Sequence, residues 1–155
     1  MATNRSENMP FPAASVDLAQ QFRPVIHVLF AYSILFYVFL YGQAFYVYYL
    51  WFKARSSDPK TPLAKIKYGE AGARDRIVFD RSVGNLMEQS VPFLLSFSLS
   101  AAFAGDVAWT AQLGWSYVAL RLLYPLAFAY GLVPLVTIPN YLSIVLLFHS
   151  VYVKL

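Results

Sequence analysis

The chain has 155 residues, 59% of them hydrophobic and 13% charged, with a formal net charge of +4. Soluble domains carry about 25% charged residues, so this composition excludes disorder and argues against an ordinary soluble domain. The chain has no cysteine, which excludes disulfides, thiolate metal sites, iron–sulfur clusters and cysteine nucleophiles.

The first 23 residues are polar, and the apolar run after them is longer than the roughly 7–15 residues of a signal h-region, so no cleaved signal peptide is expected. A membrane-crossing helix needs roughly 20 mostly apolar residues. The first candidate spans about Val25 to Phe52, within an uncharged run from Pro24 to Phe52. It ends in the aromatic stretch Ala44 to Phe52, which suits an interfacial belt. A basic loop, 53–76, follows. The second helix is expected from about Ile77 to Ala104, and Gly105 with Asp106 makes a tight polar break. A third helix follows from Val107 to about Tyr130. Gly131 and Pro134 divide the remaining apolar run, leaving a fourth helix from about Val133 to Val153. The reading is one all-α integral membrane domain over residues 1–155, a multi-pass four-helix transmembrane bundle whose partner is the lipid bilayer.

Charge placement predicts the orientation. Eight of the twelve basic residues lie between Lys53 and Arg81, and with Asp58, Glu70, Asp75 and Asp80 this stretch carries the same +4 as the whole chain. By the positive-inside rule this side is cytosolic, or its equivalent in an endoplasmic reticulum or organelle membrane, and both termini and Asp106 face the other way. The basic residues lack the compact clustering of a lipid-binding patch. They read as topology signals, not as a nucleic-acid site.

Some charges remain inside the apolar segments. Arg81, Asn85, Glu88 and Pro92 recur at i, i+4, i+7 and i+11, a spacing that lines one helical stripe. Counted from Ile77, Glu88 lies roughly 16 Å along the second helix, and Arg121 lies roughly 14 Å from the same side on the antiparallel third. A lone charge in hydrocarbon costs at least about 2.5–3.5 kcal/mol, so these two are expected to face each other or a wet cavity. Tyr117, Tyr124 and Phe128 extend the Arg121 stripe. Two readings stand: a polar clamp between helices, or a site for an anionic or zwitterionic ligand, favoured by two arginines against one glutamate. His27 and His149 sit on the far side, away from any carboxylate at ligand spacing, and no metal is expected. Ser96, Ser100, Ala101, Ala104 and Gly105 read as close-packing residues. Pro92, Pro125, Pro134 and Pro139 read as helix kinks that free carbonyls.

The pattern Arg81-x3-Asn85-x2-Glu88-x3-Pro92-Phe93-Leu94, followed by Arg121-x2-Tyr124, resembles the MAPEG family, the membrane-associated proteins in eicosanoid and glutathione metabolism. The resemblance implies a homotrimer of four-helix subunits binding glutathione between neighbours, near the cytosolic face. It implies Arg81, Asn85, Glu88, Arg121 and Tyr124 as glutathione-binding residues, with Arg121 and Tyr124 also catalytic. The implied activity is that of a glutathione transferase or peroxidase acting on a lipophilic small molecule, with glutathione as cosubstrate. The chain departs from the family pattern at two places. Phe128 stands where active members tend to have a tyrosine, and Leu132 to Tyr141 lacks the arginine that stabilises the thiolate in family enzymes. A thiol without such a cation stays near its solution pKa, roughly 8.5, and mostly protonated. The alternative is therefore a non-catalytic MAPEG-like scaffold or accessory subunit of a larger membrane complex.

Overall fold

The computed structural model describes residues 13–68 and 73–155. Arg5 of the polar tail and Glu70 of the basic loop lie outside the described residues, as do the side chains of Arg74 and Asp75. The described chain is helical: α1 (Ala13–Ser57), α2 (Leu63–Tyr68), α3 (Ala73–Phe103), α4 (Val107–Ala129) and α5 (Val133–Tyr152). The last two match the expected third and fourth helices within a residue.

Two expectations about the first half change. Helix α1 starts well before Val25 and holds Pro24 inside it, because the preceding Leu18–Arg23 is polar yet rich in good helix formers. At 45 residues it is roughly 68 Å long, about twice the thickness of a bilayer core, so its ends project beyond it. The basic loop is not wholly irregular either. Pro62, with its fixed φ, precedes the short helix α2. Trp51 Nε1 donates to the Thr61 carbonyl at 3.0 Å, Thr61 Oγ1 donates to Asp58 Oδ2 at 3.1 Å, and Arg76 donates to the Ile66 carbonyl. These bonds tie α2 to the ends of α1 and α3.

Among the described residues, α1 and α5 contain stretches long and apolar enough to cross a membrane. Helices α3 and α4 fall short of that because Asn85, Glu88, Gln89 and several serines make α3 more polar, and Gln112, Ser116 and Arg121 do the same for α4. The core forms where α1 presents Val25, Val28, Tyr32 and Leu35 at helical spacing to Phe93 and Phe97 of α3, Tyr117 of α4 and Leu147 of α5. The Phe93 and Tyr117 rings stack with centroids 3.8 Å apart and planes within 2°. Close by, α4 approaches α3 and α1 tightly at Gly114, where a Cβ would press into the Phe97 ring and come within 2.7 Å of Val28 Cγ1.

Of the small residues, Ser96, Ser100, Ala101 and Ala104 are buried, whereas Gly105 is exposed because it forms the turn and not a helix contact. Ser100 hydrogen-bonds to Thr110 at 2.7 Å and to Ser150 at 2.8 Å, joining α3, α4 and α5 at one end. The α3–α4 turn holds Gly105 at φ 75°, and Asp106 caps α4 by accepting from Trp109 N at 2.8 Å. Pro134 does not kink a helix; it sits in the first turn of α5, where a missing N–H goes unneeded. Pro92, Pro125 and Pro139 do lie inside helices. Each removes the donor that would serve the carbonyl four residues earlier. For the first two, those carbonyls belong to Glu88 and Arg121.

Candidate functional site

Arg121 is the deepest charge among the described residues, 2% exposed in the middle of α4. Its Nη1 donates to Asn85 Oδ1 and its Nη2 to Gln89 Oε1, both across the interface with α3. The guanidinium also lies 5.0 Å from the Tyr117 ring centroid and 5.9 Å from that of Tyr124, at distances where aromatic faces attract a cation. Tyr124 is buried too.

The expected pairing of Glu88 with Arg121 does not form within the chain. Glu88 is exposed, as is Arg81, and neither has a hydrogen-bond or ion-pair partner among the described residues. Helix geometry explains the difference. At about 100° per residue, Gln89 stands roughly 40° to one side of Asn85, whereas Glu88 and Arg81 stand roughly 60° and 40° to the other. Seen along α3, the stripe read from the sequence is two adjoining faces. Asn85 and Gln89 turn toward α4, while Arg81 and Glu88 turn outward. The division follows burial energetics, since two amides beside Arg121 are cheaper to desolvate than a carboxylate.

A network surrounds the clamp. Tyr117 Oη donates to the Gln89 carbonyl at 3.3 Å, and Tyr32 Oη shares a hydrogen bond with Ser90 Oγ. Arg121 Nε, Gln89 Nε2, Thr137 Oγ1 and both amide atoms of Asn140 are buried without partners among the described residues. Asn140 and Thr137 fall in the stretch of α5 where an arginine was sought and is missing. Phe128 stacks on Tyr124, with centroids 6.3 Å apart, and offers no hydroxyl.

Gln89 and Tyr32 are the contributors that sequence reasoning missed. Gln89 stands four residues after Asn85, the spacing that puts two amides on one face, but the charged neighbour Glu88 drew the attention. Tyr32 could be placed only once α1 was known to pack by its Val25–Leu35 face. His27 and His149 are both exposed.

The sequence model of the MAPEG family matches residues 28–152, which include Tyr32, Arg81, Asn85, Glu88, Gln89, Arg121 and Tyr124. No curated protein and no solved structure shows significant similarity to the chain.

Proposed function

The chain belongs to the MAPEG family of membrane proteins, whose members are generally associated with glutathione, and from that premise we propose that it binds glutathione between copies of itself, as a homotrimer of four-helix transmembrane subunits. The observation that carries this reading is the outward placement of Arg81 and Glu88 on α3, without partners among the described residues. In a membrane protein, a carboxylate midway along α3, as Glu88 is, would not face lipid alone. A neighbouring subunit with a polar ligand between the two satisfies it.

The residues fit glutathione by charge. The tripeptide carries two carboxylates and one ammonium. Glu88 takes the ammonium, Arg81 takes a carboxylate, and Asn85 supplies an amide at the edge of the outward face. Arg121 is positively charged and is met among the described residues by two neutral amides and two aromatic rings, with no carboxylate beside it. It biases the site toward anions through Asn85 and Gln89, and it keeps those amides in one orientation. Tyr124 and Arg121 are the residues to assist a thiolate, the tyrosine by hydrogen bonding and the arginine by its field. The whole chain acts as one domain, with the basic stretch on the cytosolic or equivalent side and the lipophilic partner entering from the bilayer.

The scaffold reading is kept alive by one feature, the absence of a base from Leu132 to Tyr141. The ultraviolet difference band of bound glutathione thiolate, followed against pH in the trimeric protein, decides between the two. A band that persists at pH 6.5, with turnover of an aromatic electrophile, supports the transferase. Binding without the band supports the scaffold, and no binding at millimolar glutathione removes the proposal.

A further inference from the structure

The half of α1 after Leu35 contributes no buried residue to the core. It meets α3 through Gln43 and Asp80 and through the stacked rings of Tyr46 and Phe79, and with α2 and the start of α3 it lines a cavity of about 600 Å³, within the roughly 300–1,000 Å³ of small-ligand sites. Its walls are Leu40, Ala44 and Val47 of α1 and Leu63 of α2, and its rim carries Tyr48, Lys67, Tyr68, Arg76 and Asp80. The rim is built. Arg76 Nε meets Asp80 Oδ2 at 3.3 Å, Gln43 Nε2 donates to Asp80 Oδ1 at 2.6 Å, and the Arg76 guanidinium holds the Ile66 carbonyl of α2. Asp80 and Arg76 lie on the side of α3 roughly opposite Asn85, so this cavity is separate from the proposed glutathione face.

We infer that this cavity binds an anionic amphiphile, with an acyl chain along Leu40, Ala44 and Val47 and an anionic head at the Lys67 rim. The charge count carries the choice of head. Asp80 is matched by Arg76, and Lys67 adds a positive charge, its Nζ 5.3 Å from the centroid of the Tyr68 ring. The phenols of Tyr48 and Tyr68 add donors beside it. The position carries the choice of tail, since the cavity is apolar below the rim and lies where α1 reaches the basic stretch, the level at which anionic headgroups meet lysines. A free fatty acid and an acidic phospholipid share this chemistry.

The test uses the full-length protein in phosphatidylcholine nanodiscs, photolabelled with a diazirine-bearing fatty acid and mapped by peptide mass spectrometry. Labels are expected to concentrate on residues 40–48 and 63–68. Lys67→Gln should lower labelling about fivefold, the equivalent of one lysine–headgroup contact, and Lys67→Arg should retain it. Ala44→Trp, which fills the cavity from a position outside the core, should abolish it without changing the glutathione response. Competition by oleate alone identifies a free fatty acid as the occupant, and equal competition by phosphatidate identifies the phospholipid. Labels spread evenly along the exposed side of α1, from Phe30 through Phe52, would overturn the site. Concentrated labelling that ignores Lys67→Gln, or that phosphatidylcholine displaces as well as oleate does, would overturn the anionic head.

Discussion

Arg121 reaches Gln89, not its neighbour Glu88, across the interface between α3 and α4. Hydrogen bonds from a charged donor contribute about 1.5–3 kcal/mol each, and a buried guanidinium stripped of an acceptor is costlier still. A double-mutant cycle of Gln89→Ala and Arg121→Gln should therefore show a coupling of about 1.5–3 kcal/mol in unfolding measured in detergent. The corresponding cycle of Glu88→Gln with Arg121→Gln should be additive within about 0.5 kcal/mol in the dissociated chain. Coupling in the second cycle and none in the first would reverse the assignment.

Gly114 sets the distance between α4 and its neighbours. Gly114→Ala places a methyl group against Phe97 and Val28, and overpacking of this kind costs about 1–3 kcal/mol. Unfolding in detergent should register that loss. Gly42 has open space around the same atom, so Gly42→Ala should be neutral or slightly stabilising through helix propensity. Equal effects at the two positions would show that the packing of α4 does not depend on close approach at Gly114.

The positions and ends of α4 and α5 follow from uncharged length and from Gly105, Asp106, Gly131 and Pro134, each of which acts locally. Helix α1 was harder to delimit because Pro24 reads as a boundary in isolation, and only packing of the Val25–Leu35 face against three other helices shows that the helix runs through it. The site was half visible. Helical spacing put Asn85 on one stripe with Glu88, and matching depth put that stripe opposite Arg121, but it named Glu88 as the partner. Which of Glu88 and Gln89 would turn inward depends on the rotation of α3 against α4, a difference of about 100° that a stripe at i, i+4 and i+7 leaves open. Gln89 looks unremarkable as a residue type, and its importance comes from the guanidinium opposite.

The orientation of the chain in the bilayer rests on the basic stretch. Single cysteines placed at Ser57, the last residue of α1, and at Lys154, beyond α5, should react from opposite sides of sealed vesicles, since the native chain has no competing thiol. Modification of both from the same side would rule out an arrangement in which all four long helices cross.

Self-association should depend on the outward face of α3. Replacing Glu88 with leucine removes a charge that none of the described residues of the same chain matches, so the dissociated chain should keep its thermal stability within about 0.5 kcal/mol, as for an ordinary surface change. Chemical cross-linking in nanodiscs is expected to show trimers for the wild type, and glutathione should slow subunit exchange there and not in the Glu88→Leu variant. A variant that exchanges as the wild type does, with and without glutathione, would place the ligand elsewhere.

Calorimetric titration of glutathione into the nanodisc-embedded trimer, comparing the wild type with Arg81→Ala and Glu88→Gln, bears on the proposed site at its source. The wild type should bind, and each variant should weaken binding by about tenfold or more, because each strands one charged group of the ligand without its partner. Unchanged affinity in both variants, or no binding by a wild type shown to be trimeric, would contradict a glutathione site built on the outward face of α3.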